Sequence, residues 1–440
     1  MLKLKTPSDA VRKAIIYQIN LRAFTKEGTL KAAEQYLGDA AATGADIVYL
    51  CPVVMSDDHP VKKFWSTRQK MSGFENPRNP YRLKDFFELD PEYGTEADLK
   101  SFVEQAHKHG LKVMLDLVYM HAGPSFGDRY PQFVKQDENG NPKLNSYNFC
   151  TIDFDKPELR DHLWDNMVYF VEKFGIDAYR CDVGGAVPLD FWVEGVRRIK
   201  KLRPDFIMLD ENELYFRPEE QVEAFDINYS QMFLQVAMQN IFAYEAPASD
   251  LETAWNIEHS KTPDGMVLRG IEHHDTANDN YNFRVGRRSH EKCEAAYVIC
   301  YCLDGVPFLY NGCEYKDTSR HSIFSLKGVC CIDRSTDPAE RFAFFRKLAE
   351  LHRTEPAILY GKTEFLHHES MDNICAFTRT CENGEKLLCL ANLTGKTSTF
   401  THDIVAEFAA SAPALERDMT RDGNTITLQK YGYTVLIKKS

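Results

Sequence analysis

No apolar run in this sequence reaches the roughly 20 residues that a membrane-spanning helix needs. Nor is there a basic excess: 53 lysines and arginines stand against 65 acids, for a formal charge of −12. That balance argues against a nucleic-acid or anionic-membrane partner, which has to be met by a basic patch. The N-terminal stretch Met1–Gln18 lacks a long apolar segment followed by small residues, so no signal peptide is expected. The 12 cysteines form no repeated C-x-x-C pair. Cys330-Cys331 is a poor zinc signature, and Cys181, Cys300 and Cys302 sit inside apolar segments. Reduced thiols in a cytoplasm are expected rather than a disulfide framework. No His-Glu-x-x-His helix supports a zinc reading of the histidines, and there is no internal repeat or low-complexity linker.

What is present is a large, mostly apolar chain. Its 440 residues, 43% of them hydrophobic and 12% aromatic, are ample for a large core and two or more domains. Short apolar strands alternate with helical patterns. The strands are read at Ile15–Ile19, Ala45–Pro52, Lys112–Val118, Gly175–Val183, Phe206–Glu211, Ala224–Tyr229, Val267–His274 and Val306–Tyr310. Helical patterns lie between them: Leu30–Thr43; Glu96–His109 with Thr95 as N-cap; Pro157–Phe174; Leu189–Leu202; a Met- and Phe-rich stretch after Tyr229; Glu291–Leu303; and finally Pro338–His352. Continuous apolar strands between helices point to parallel strands covered on both faces. Eight of them suit an α/β fold of the (β/α)8 TIM-barrel type, whose functional residues sit at the C-terminal strand ends. The alternation breaks at 122–156, a Gly-, Pro-, Asn- and aromatic-rich excursion after strand three. From about Gly361 the segments alternate in polarity and are split by Glu-Asn-Gly and Asp-Gly-Asn turns, as in an antiparallel β domain. The expected division is a barrel over 1–121 and 157–358, an insertion over 122–156 and an all-β domain over 359–440.

The stretch Gly175–Val183 carries the most chemistry. If it is extended, Ala178, Arg180 and Asp182 share a face. An arginine and an aspartate at the end of an apolar strand are costly to bury unless they pair or react. Alone, Arg-x-Asp reads as a structural ion pair. The barrel reading, however, collects Asp116 and His121 at the end of strand three, Arg180 and Asp182 at strand four, Glu211 at strand five, and His274 and Asp275 at strand seven, all on one rim. Singly, Asp116 could cap a turn, Glu211 could be a solvated loop acid and His273-His274-Asp275 a surface cluster.

In sequence the set resembles the α-amylase family, glycoside hydrolase family 13. The resemblance rests on Asp116-Leu-Val118-Tyr-Met120-His121, Gly175-Ile-Asp177-Ala-Tyr-Arg180-Cys-Asp182, Leu209-Asp210-Glu211-Asn212 and Glu272-His273-His274-Asp275. Asn79-Pro80-Tyr81 and Asn311-Gly312-Cys-Glu314 support it. It implies that Asp182 is the nucleophile, Glu211 the general acid/base and Asp275 the transition-state stabiliser. Arg180 would orient Asp182, His121 and His274 would bind sugar hydroxyls, Tyr81 would stack on the sugar, and Asp116 would be structural. A retaining mechanism needs two carboxyls about 5–5.5 Å apart, one ionised and one protonated. Arg180 is expected to keep Asp182 ionised, and an apolar setting to hold the proton on Glu211.

The implied activity is hydrolysis of α-glucosidic bonds in short α-glucans, without a cofactor, nucleic acid or membrane partner. The alternatives are an α-glucan transglycosylase using the same trio and a non-catalytic binding or chaperone-like subunit. Oligomeric state is not encoded in these motifs. Two positions depart from the family pattern, which has asparagine at Met120 and at His273. Calcium takes about 6–8 hard oxygens, so the thioether of Met120 argues against the family's structural calcium. Packing of Phe126, Tyr130, Phe133, Tyr147 and Phe149 is expected to hold the excursion instead.

Overall fold

The computed structural model describes residues 7–212, 218–262, 265–279 and 289–440; the start of the N-terminal stretch read above lies outside them. Eight parallel strands form one sheet: β1 (Ile16–Ile19), β2 (Ile47–Leu50), β3 (Lys112–Leu117), β4 (Ala178–Cys181), β5 (Ile207–Asp210), β6 (Ile227–Asn228), β7 (Leu268–Arg269) and β8 (Val306–Tyr310). Neighbours pair in sequence order, and β1 also pairs with β8 in register Ile16↔Phe308. A parallel bridge between Asn228 and Val267 joins β6 to the start of β7 and closes the barrel.

Alternation along these strands divides the side chains between two environments. Ile16, Ile47, Tyr49, Met114, Ala178, Leu209, Ile227, Leu268, Val306 and Phe308 fill the barrel interior. Two residues further along the same faces come Gln18, Asp116, Arg180 and Glu211, all buried. The interior therefore turns from apolar to charged at the C-terminal end, which is what positions the site.

Several elements differ from their sequence readings. Pro157–Phe174 is one helix, as read, and ends at Gly175 in the left-handed conformation. Glu96–Lys108 carries a reciprocal capping box between Thr95 and Asp98. The pattern Leu30–Thr43 is broken into Leu30–Ala33, a 3-10 turn at Glu34–Tyr36 and Leu37–Ala42. The stretch read as a strand to His274 stops at Arg269. A Cβ at Gly270 would sit 2.8 Å from the Phe308 carbonyl oxygen, so the backbones approach there and the chain leaves the sheet. His274 and Asp275 instead open the helix His274–Asp279.

In the excursion, His121–Ala122 pairs antiparallel with Cys150–Thr151. Phe126, Tyr130 and Phe133 pack in series, at 5.1 and 5.6 Å between ring centroids, and Phe126 meets Phe86 at 5.0 Å. Met120 packs against the main core. C-terminal to the barrel, β9 (Lys362–Phe365), β10 (Ile374–Thr380), β11 (Lys386–Asn392), β12 (Ser398–Thr401), β13 (Pro413–Asp422) and β14 (Thr425–Lys438) form an antiparallel sheet in the order β9-β10-β11-β14-β12, with β13 also on β14. It has its own apolar core around Leu388, Leu390, Phe400, Ile426 and Leu436. All 12 cysteines are free, and no helix among the described residues is long and apolar enough to cross a membrane.

Candidate active site

A cavity of about 300 Å3 opens at the C-terminal end of the barrel. Asp182, Glu211, Asp275, Tyr81, His121 and His274 all line it. The sheet ladder runs one residue past the strands to reach two of the acids: Asp182 N–H donates to the Leu117 carbonyl (2.8 Å), and Glu211 N–H to that of Cys181 (3.0 Å). Neighbouring parallel strands thus deliver neighbouring carboxyls.

Arg180 lies beneath them, fully buried between the rings of Tyr81 and Tyr229 at 5.8 and 5.5 Å. Its Nη1 donates to Asp116 Oδ1 and Oδ2 (2.7 and 2.9 Å) and to Asp182 Oδ1 (3.0 Å). Its Nη2 meets Glu211 Oε2 at 2.6 Å. Asp116 also accepts from the hydroxyls of Tyr49 (2.6 Å) and Tyr81 (2.9 Å). Arg180 thus sits beside Asp182, as expected, but not beside it alone: one guanidinium serves three carboxyls, and Asp182 holds the longest of its contacts. Burial pushes Asp182 well above the ordinary carboxylate range. Arg180 pulls it back, and the charges of Glu211, Asp116 and Asp275 push it up again. Glu211 is raised by burial too, against the pull of Arg180. Three carboxyls share this one cation, so their titrations are linked.

Glu211 is also held by backbone. Val183 N–H donates to Glu211 Oε2 at 2.9 Å, and Val183 has φ of +43°. For a β-branched residue that conformation is strained, at a cost of about 1–3 kcal/mol. The next residue is Gly184, where a Cβ would sit 2.2 Å from Asp210 Oδ1. Asp210 itself is fully buried with neither carboxyl oxygen hydrogen-bonded, and burial raises it well above the usual range.

The opposite wall is built differently. Asp275 Oδ1 accepts from Arg68 Nη2 at 2.6 Å and lies 3.4 Å from His274 Nε2. Burial alone would raise Asp275, but the Arg68 guanidinium outweighs it and holds the carboxyl far below the usual range. The Gln18 amide clamps His274: Oε1 accepts from the His274 N–H (3.0 Å), while Nε2 lies 2.7 Å from Nδ1. An amide nitrogen can only donate, so Nδ1 is the acceptor and Nε2 carries the proton, toward Asp275. Tyr81 stacks on His274 with rings 5.2 Å apart and 10° from parallel. His121 Nε2 lies 3.0 Å from the Tyr81 carbonyl oxygen and 3.9 Å from Asp182 Oδ2. Burial lowers His121 and His273 to about 4 and His274 further, so all three are neutral near pH 7.

Sequence reasoning missed Gln18 and Arg68. Gln18 had a signal, a lone amide in an apolar strand. Arg68 had none, because the segment between β2 and β3 carries no motif that points to it. His273, His274 and Asp275 are the described side chains grouped closely enough to share an ion. They offer two imidazoles and a carboxylate already paired with Arg68, which is not a calcium donor set. Met120, packed against the main core, offers a thioether where the family has an asparagine oxygen, so among the described residues this position does not fit a calcium ligand.

The charged mouth lies at the C-terminal end of the barrel strands, where (β/α)8 enzymes keep their active sites. The profile described as "Alpha amylase, catalytic domain" matches residues 22–139. Alpha-amylase MalA of Haloarcula japonica is 26% identical over 411 residues, covering 88% of this chain and 57% of that protein. The maltogenic alpha-amylase of Bacillus acidopullulyticus is 26% identical over 394 residues, covering 81% and 64%. The chain thus spans about three-fifths of the length of these relatives. Among solved structures, a noncanonic maltogenic alpha-amylase, AmyB, from Thermotoga neapolitana superposes with a TM-score of 0.78 at 23% identity, covering 97% of this chain and 98% of that one. An alpha-amylase from Lactobacillus plantarum gives 0.79 at 21%, covering 98% and 100%. Residues 22–139 thus resemble the α-amylase catalytic domain, and the whole fold is that of the amylases it superposes on.

Proposed function

We propose that this protein is a retaining glycoside hydrolase that cleaves α-glucosidic bonds of short α-glucans and maltooligosaccharides. The observation that carries this reading is the seating of Asp182 and Glu211, from adjacent strands, on the two terminal nitrogens of one buried guanidinium. Asp182 acts as the nucleophile: a carboxylate oxygen bonds to the anomeric carbon as the glycosidic C–O bond breaks. Glu211 gives its proton to the departing oxygen. Glu211 then takes a proton from water, whose oxygen attacks the same carbon and releases Asp182. Asp275 stays ionised and faces the positive charge that develops on the sugar. Tyr81, His121, Arg180 and His274 bind and orient the ring in the cleavage subsite, while Asp116 anchors Arg180.

A cavity of about 300 Å3, at the small end of ligand pockets, favours a short substrate. Relatives named maltogenic amylase and cyclomaltodextrinase point the same way. Twelve free cysteines and a relative named intracellular maltogenic amylase support a cytoplasmic setting. The two sheets, and the excursion between β3 and β4 of the first, support the division into a barrel (1–121 and 157–358), an insertion (122–156) and a β domain (359–440).

The test is proton NMR of the first sugar released from maltotriose. An α-anomer is expected, and a β-anomer as first product rules the double displacement out. Products longer than the substrate would assign the trio to transfer rather than hydrolysis.

A further inference from the structure

We infer that Arg68 is a positioning residue for Asp275, an inference that rests on the hydrolase reading above. Arg68 lies on the short helix Thr67–Met71, between β2 and β3. It lines the cavity and reaches Asp275 Oδ1 at 2.6 Å. The helix that carries it is tethered and is not a swinging lid. Ser66 Oγ caps its first turn by accepting from the Gln69 N–H (3.1 Å). Gln69 is fully buried, and its Nε2 donates to the carbonyls of Asn76 (2.9 Å) and Pro77 (3.3 Å). At the other end, Arg320 Nη2 donates to the Ser72 carbonyl at 2.7 Å. The backbone is set before any ligand arrives, so the guanidinium meets Asp275 from a fixed stem.

The chemistry gives this contact a purpose. Among the described residues, the groups that face Asp275 are Arg68, His273 and His274, the acids Asp182 and Glu211, Tyr229 and the Cys51 thiol. Arg180 also reaches this wall, but it is shared among three carboxyls. His274 and His273 also lower Asp275, but burial keeps both imidazoles neutral near pH 7, so neither is a standing charge there. Among the described residues, Arg68 is the cation left to hold Asp275 ionised against the repulsion of Asp182 and Glu211. Both close contacts of Asp275, from Arg68 and His274, fall on Oδ1. That leaves Oδ2 for a substrate hydroxyl and fixes the rotation of the carboxylate.

The experiment compares full-length wild type with Arg68→Ala, Arg68→Lys and Arg68→Gln on maltotriose and 4-nitrophenyl α-glucoside, with folding checked by circular dichroism. Loss of one preorganised electrostatic partner lowers kcat by about 10²-fold in Arg68→Ala, with KM changed by less than about threefold. Removing the cation raises the pKa of Asp275, so the acidic limb of the kcat profile moves to higher pH. Arg68→Lys restores the limb and part of kcat. Arg68→Gln, which keeps a donor without charge, leaves the limb displaced, and these two variants decide the matter if Arg68→Ala does not fold. An unmoved limb with near-native kcat overturns the inference, as does a higher kcat with a lower KM, which would make Arg68 an obstruction. An inactive wild type overturns the hydrolase reading and this inference together, whereas an active wild type with indifferent variants overturns this inference alone.

Discussion

The two walls of the cavity hold the same chemical group in opposite states. On one, Asp116, Asp182 and Glu211 divide a single guanidinium, and burial drives Asp182 and Glu211 upward. On the other, Asp275 has Arg68 at 2.6 Å and is driven down. Burial opposes the charge in each case, so the difference lies in the nearby charges: Glu211, Asp116 and Asp275 push Asp182 up against the pull of Arg180, whereas the Arg68 guanidinium outweighs burial at Asp275. Retaining chemistry needs the nucleophile ionised and the acid protonated, so on the shared wall the proton has to rest on Glu211 while Asp275 opposite stays charged.

Breaking the shared wall at its centre has the largest expected effect. Asp182→Asn removes the nucleophile and lowers kcat by about 10⁴-fold or more, with an unchanged circular dichroism spectrum; near-native turnover would remove Asp182 from the mechanism. Glu211→Gln removes the proton donor. It is expected to lose about 10²–10⁴-fold on maltotriose but far less on 4-nitrophenyl α-glucoside, whose leaving group needs no proton. Equal losses on the two substrates would show that Glu211 has another role.

Asp116→Asn sharpens the comparison instead of breaking it. The charge of Asp116 raises both Asp182 and Glu211, so its removal lowers both and leaves Arg180 to two acids. The pH–kcat profile should shift as a whole to lower pH, at a stability cost of about 1–3 kcal/mol. A shift to higher pH would contradict the sharing described for Arg180. The smallest effect is expected outside the cavity, at Asp210. Its pKa is raised in the folded state, so ionisation is easier in the unfolded chain and stability falls as pH rises past the unfolded value. Asp210→Asn removes that loss. The difference in melting midpoint, variant minus wild type, should grow between about pH 4 and 7, as read by calorimetry, and a flat difference would mean that Asp210 is not burdened by its burial.

Much of this was legible beforehand. Apolar strands with period-two polarity switches at their ends located Asp116, Arg180, Asp182 and Glu211 together, because parallel strands of similar length put successive strand ends on one rim. The helix Pro157–Phe174 was readable to the residue, since Pro at its start and Gly after its end are both local signals. The placement of His274 and Asp275 on a helix was not, because Gly270 ends β7 through contact with a backbone oxygen of β8, a partner distant in sequence.

The sequence by itself determined the barrel and the β domain, because alternation, caps and strand ends are written within a few residues of one another; the acids stood out by resemblance to a family. Tertiary structure alone decided their charge. Whether a carboxyl keeps its proton depends on which cations lie within a few ångströms, and those come from segments far away in the chain: Arg68 lies 207 residues from Asp275, and Gln18 lies 256 from His274. Pairing over such distances leaves no periodic trace in the chain, since it is fixed only when the barrel closes and brings the loops over its mouth.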